Sequence, residues 1–134
     1  MITEDYVSFE IAKLLKEKGF NENCSRSYVK DKLAVSQGFN NSYYTTMYSD
    51  GCYRPISAPT LQMAIKWLRE VHNLHCSVDY DYVLGWYCQI TSLKKTVEYD
   101  YEEMKHYHPE KDNGFSSSEE ACKAAIKYCL ENLI

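Results

Sequence analysis

The sequence predicts an α+β chain: an antiparallel sheet of about four or five strands, with three helices packed mainly on one face. Two observations carry this expectation. Three segments repeat apolar residues at helical spacing, and the stretches between them alternate apolar and polar residues as half-buried strands do. At 134 residues, 45% of them hydrophobic and 25% charged, the chain is expected to form a single domain over 1–134 with its own core.

The first helix is expected to start at Thr3, whose hydroxyl can cap, with Glu4 and Asp5 favouring the positive end of the dipole. Val7, Ile11, Leu14 and Leu15 then line one face, and Gly19 stops the helix in a left-handed turn, with Phe20 packing after it. Between Cys24 and Val35, Tyr28-Val29 and Leu33 to Val35 flank Asp31-Lys32 as a short hairpin. The stretch "SQGFNNSYYTTMYSDGCYRPI" (36–56) has no regular period. A loop of that length in a compact domain is expected to be functional, to be mobile or to conceal a strand, and "YYTTMY" has strand propensity.

The clearest helix is "SAPTLQMAIKWLREVHNL". Either Ser57 caps it with Pro59 in the first turn, or Thr60 caps it after the proline. Leu61, Ala64, Ile65, Leu68 and Val71 form the stripe, flanked by Trp67, while Lys66, Arg69 and Glu70 face water. The period then changes to two. Cys76, Val78 and Tyr80 alternate with polar residues, as do Trp86, Cys88 and Ile90 beyond a turn over 81–85, which predicts a hairpin. Val97, Tyr99 and Tyr101 suggest a third, more exposed strand, and "HYHPEKDNG" reads as a loop from its Pro, Asn and Gly. In the last segment Ser117 and Glu120 have capping-box spacing, and Cys122, Ala125, Ile126, Cys129, Leu130 and Leu133 share a helix face. The three helices share an Ile on the stripe with a basic residue after it. That allows a duplicated α-β-β unit plus a C-terminal helix, although ordinary amphipathic helices look alike at this level.

The blocks "EDYVSFEIAKLLKEKGF", "APTLQMAIKWLREVHNL" (from Ala58-Pro59-Thr60 to Glu70 and beyond) and "FSSSEEACKAAIKYCLENLI" resemble short uncharacterised proteins encoded by prophages and mobile elements of anaerobic gut bacteria. The resemblance covers about half of the chain, in three blocks. It departs from the usual closing block by having Ser117-Ser118 where Thr and Tyr often stand, which keeps the cap. It implies origin and architecture, and carries over no catalytic residue.

Composition and motifs narrow the function. No apolar run reaches the about 18 residues that span a bilayer, and "MITEDYVSFE" lacks the features of a secretory signal, so no membrane association and a cytoplasmic location are expected. In a reducing compartment the six cysteines (24, 52, 76, 88, 122 and 129), with no C-x-x-C among them, read as structural thiols. A net charge of −4 disfavours nonspecific nucleic-acid binding. Five scattered glycines offer no phosphate cradle, no cofactor is implied, and an enzyme is the less favoured reading.

Three constellations remain. His72, Cys76, His106 and His108 form a weak metal tetrad on paper, without familiar ligand spacing. His75 turns away from Cys76 on a strand, and His72 suits a helix C-terminus without any ligand role. Cys52 beside Arg54 is a weak nucleophile candidate, and an ordinary turn at Gly51 explains it more simply. The thirteen tyrosines are the strongest signal, since tyrosine presents an apolar face with a polar tip and is enriched at protein interfaces. Tyr43, Tyr44, Tyr48 and Tyr53, with Arg54, are the candidate binding residues. Tyr80, Tyr82, Tyr87, Tyr99 and Tyr101 fall in strand-like sequence, where β-propensity alone accounts for many tyrosines. The leading expectation is thus a non-catalytic module that binds a protein or a second copy of itself through a Tyr-rich surface. The alternative is a nucleic-acid-associated protein stacking bases on tyrosines, with Arg26, Lys30, Lys32, Lys94 and Lys95 as its only basic candidates. A small metal- or cysteine-dependent enzyme comes third.

Overall fold

The computed structural model describes residues 2–29, 31–35, 55–83, 85–93 and 114–134, and the backbone of 104–107. The chain is α+β and divides into two compact units, residues 1–60 and 61–134. The described strands pair in two three-stranded antiparallel sheets, one in each unit, where the sequence predicts one larger sheet.

In the first unit, helix α1 spans Phe9–Glu17, one turn later than expected. Ser8, not Thr3, is its cap, and its Oγ accepts from the amide of Ile11 at 3.2 Å. The segment before it is held extended, because Tyr6 bridges Thr60 and the Val7 amide donates to the Pro59 carbonyl at 3.1 Å. A residue committed to strand-like pairing there cannot begin a helix at Thr3. The helix stops as expected. Gly19 has a φ of 94°, and the Phe20 amide donates back to Leu15 at 2.9 Å. Strands β1 (Arg26–Val29) and β2 (Lys32–Val35) form the anticipated hairpin, and β3 (Ile56–Ser57) pairs with the free side of β1. The Tyr28 hydroxyl donates to the Val7 carbonyl at 2.6 Å, and its ring meets Phe9 edge-on at 5.5 Å, tying the hairpin to the start of α1.

In the second unit, helix α2 spans Leu61–His72, so Thr60 precedes it directly while Ser57 is buried in β3. Leu61, Ala64 and Leu68 are buried as predicted. Trp67 joins them, and Val71 is 55% exposed, so the stripe is rotated toward the tryptophan. Strands β4 (Leu74–Asp81) and β5 (Gly85–Ser92) pair along their full lengths. Strand β6 (Met104–Tyr107) pairs with the far side of β5 and runs into the "HYH" segment that was expected to be a loop. The expected strand at Val97, Tyr99 and Tyr101 lies outside the described residues.

Helix α3 (Ser118–Tyr128) is capped by Ser117, whose Oγ accepts from the Glu120 amide at 3.2 Å. It continues into a π-helical turn over Cys129–Leu133. Both helices pack on the β4–β5 face. Cys76, Cys88, Ile90, Cys122, Ala125, Ile126, Cys129 and Leu130 are buried, and Leu133, expected on the same stripe, is 37% exposed.

Candidate interaction surface

Strands β4 and β5 have alternating faces, and their register sets which side chains share one. Cys76, Val78 and Tyr80 sit opposite Ile90, Cys88 and Trp86 on the face that the helices cover. Cover thins toward the turn. Cys76 and Cys88 are buried, Val78 and Trp86 are intermediate, and Tyr80 is 62% exposed. The hairpin therefore carries its core-facing pattern out past the core. Tyr80 and Trp86 meet edge-on there at 5.1 Å, a geometry suited to ring quadrupoles. The Phe115 amide donates to the Trp86 carbonyl at 2.9 Å, which brings a further aromatic residue to this end of β5.

The turn itself is locally held. The Asp81 carboxylate accepts from the Val83 amide at 2.7 Å, an Asx-type contact, and Gly85 takes a φ of 86° as the chain enters β5. Only glycine adopts that φ without strain. Tyr82 and Val83 are presented to solvent at 92% and 77% exposure. The tip thus groups Tyr80, Tyr82, Val83 and Trp86. Its formal charges, over 74–92, are those of Asp79 and Asp81.

Other predicted site residues fall elsewhere. Tyr43, Tyr44, Tyr48, Tyr53 and Arg54, together with Cys52, lie outside the described residues, as do Lys30, Lys94, Lys95, Tyr99, Tyr101 and His108. Arg26 sits over the Tyr6 ring at 6.0 Å, and Lys32 is exposed on β2. Tyr87 lies on the opposite face from Trp86 and is half-buried. His72 ends α2, with its ring edge-on to Trp67 at 4.7 Å and Nε2 buried without a hydrogen-bond partner. His75 is half-exposed and alternates with buried Cys76, as strand geometry requires. His106 is in β6, in register with Gln89. Among the described residues no three His, Cys, Asp or Glu side chains converge as a metal ion needs.

The thiols converge in the interior of the second unit. Cys76 and Cys129 place their sulfurs 3.6 Å apart in a buried S–H···S contact. The bond with Cys129, then burial, drives the Cys76 thiol far above its ordinary range. Burial first, and the neighbouring Cys76 second, push Cys88 and Cys122 up to about 12. At neutral pH these groups are small protonated hydrophobes, and such buried thiols are poor nucleophiles. Cys24 in the first unit is raised to about 11 by burial and then by Glu22. None of these settings activates a cysteine.

The sequence contained the signal for the tip. The alternation through Tyr80 and Trp86 is legible there, but which end of it the helices leave exposed shows only once they are placed. No protein-family model, curated protein or solved structure matches the chain.

Proposed function

We propose that the chain is a non-catalytic, cytoplasmic protein-binding module of mobile-element origin, and that the β4–β5 tip is the surface it binds with. The observation that supports this reading is the group of exposed Tyr80, Tyr82 and Val83 with half-buried Trp86, carried on a hydrogen-bonded turn. Clustered aromatics on a pre-organised turn are what interface hot spots are made of, because little conformational entropy is lost on docking.

The flanking charges select among partners. Asp79 and Asp81 alternate with the tip aromatics along the strand and give this end of the hairpin a negative charge, which disfavours a phosphate backbone there. They also disfavour self-association tip to tip, since a two-fold contact sets each carboxylate pair against its own copy. The favoured partner is a different protein with an apolar pocket rimmed by Lys or Arg. As for architecture, both units run helix, hairpin, strand, which supports the duplicated reading. Against it, the third strand joins β1 in the first sheet and the second hairpin strand in the other.

The test is site-specific photo-crosslinking in producing cells. A benzophenone amino acid at position 82 is expected to give a discrete protein adduct that disappears with Tyr80→Ala, and the same group at exposed Glu17 is expected to give none. Equal adducts from both positions, or a nucleic-acid adduct at 82, would overturn the proposal.

A further inference from the structure

The sulfur cluster offers a chemistry independent of the tip. Of the four buried thiols in the second unit, Cys76 and Cys129 are in direct contact at 3.6 Å, across 53 residues of chain. They sit on different kinds of element. Cys76 is the third residue of β4, paired with Ile90 in the β4–β5 ladder, and Cys129 opens the π turn that follows α3. A π turn is an uncommon, loosely wound element, and Glu131, Asn132 and Leu133 within this one are exposed. Cys129 itself is fully buried, so a reagent reaches it only through local opening of that turn, while pairing with β5 holds Cys76. A disulfide needs its sulfurs about 2.05 Å apart, so closure calls for a shift of side chains and of the turn. A loop this long is also one in which a crosslink restricts the unfolded chain strongly.

We infer that Cys76 and Cys129 are a latent disulfide pair: exchange with a low-molecular-weight disulfide such as glutathione disulfide joins their sulfurs and clamps the π turn to β4. The thiolate of Cys129, formed when the turn opens, attacks one sulfur of the reagent. The reagent's S–S bond breaks, and one equivalent leaves as thiolate and takes up a proton. Cys76 then attacks the Cys129 sulfur of the mixed disulfide, forming the Cys76–Cys129 bond and releasing the second equivalent. The two cysteine sulfurs are oxidised, the reagent is reduced to two thiols, and the two cysteine protons end on them. Burial makes the first attack slow in the closed state, so the reaction is gated by opening.

The experiment uses the full chain in two arms, equilibrated folded with glutathione disulfide and refolded from urea in a glutathione redox buffer. Each arm is quenched with an alkylating reagent, digested and mapped by mass. The expected result is loss of two alkylatable thiols and a peptide pair joining Cys76 to Cys129, with Cys88 and Cys122 alkylated. Cys88→Ala keeps the crosslink and Cys129→Ala abolishes it. If Cys129→Ala fails to fold, the map of the unsubstituted chain decides alone. Alkylation of Cys76, Cys88, Cys122 and Cys129 alike in both arms, or a crosslink through Cys88 or Cys122, would overturn the inference.

Discussion

The two units solve the same problem with unequal means. The first sets a nine-residue helix beside a hairpin of four-residue strands, and leaves Leu33 and Val35 of β2 at 43% and 60% exposure. The second sets two helices on eight-residue strands and buries a continuous interior that includes Leu68, Cys88, Ile90, Ile126 and Leu130. Strand length is the difference that matters. Short strands offer little apolar face for a helix to bury, so the first unit relies on individual ties such as the Tyr28 hydroxyl on Val7. Long strands outrun their cover, so the second has both the better core and the uncovered aromatic tip.

The largest effect should separate the two kinds of position. Leu68 is fully buried, and Leu68→Ala is expected to cost about 3 kcal/mol in urea unfolding. Val35→Ala, on the exposed edge of the first sheet, should stay within about 0.5 kcal/mol. Equal costs would break the comparison. Next, Tyr28→Phe removes one hydroxyl bond at fixed shape and should cost about 1 kcal/mol, read by thermal unfolding and by faster amide exchange in β1. Ser117→Ala takes away the α3 cap and should cost about 1 kcal/mol, while Ser117→Asp should restore most of it.

The smallest effect is one of pH. Glu119 is held below the ordinary carboxylate range by its own amide first and by the Ser118 hydroxyl second, at the positive end of α3. A carboxyl with a depressed folded pKa stabilises above its unfolded value, and that stabilisation is lost as pH falls through the folded one. Glu119→Gln should therefore narrow the stability gap between pH 7 and the acid range, measured by urea titrations at several pH values.

Much of this architecture was legible in the residues, and the failures have physical reasons. Ser117 and Glu120 marked the last helix, Gly19 marked the end of the first, and the alternation from Cys76 to Ile90 marked the long hairpin. In each case a local rule and the tertiary structure agree. Thr3 failed as a cap because Tyr6 pairs with Thr60, a contact between distant residues that no local pattern announces. Val71 and Trp67 exchanged places because the stripe's centre depends on what faces it, and periodicity supplies only its width. His106 and Tyr107 of β6 fell in the expected loop because it was read from the Pro, Asn and Gly that follow them, whereas pairing with β5 is a contact between segments that no local signal announces. Of the interaction surface, tyrosine content pointed to the chemistry. The predicted members, Tyr43 to Tyr53, lie outside the described residues, and Tyr80 and Tyr82 were discounted because β-propensity was the simpler explanation of tyrosines in strand-like sequence.

Chemical footprinting of tyrosine tests the binding surface most directly. Tyrosine-selective labelling should mark Tyr80 and Tyr82 strongly on the purified chain, Tyr82 being nearly fully exposed, and Tyr28 weakly. In lysate of the producing cell the account predicts that labelling of Tyr80 and Tyr82 falls together while Tyr6 is unchanged. Undiminished labelling of both tip tyrosines in that lysate would contradict it.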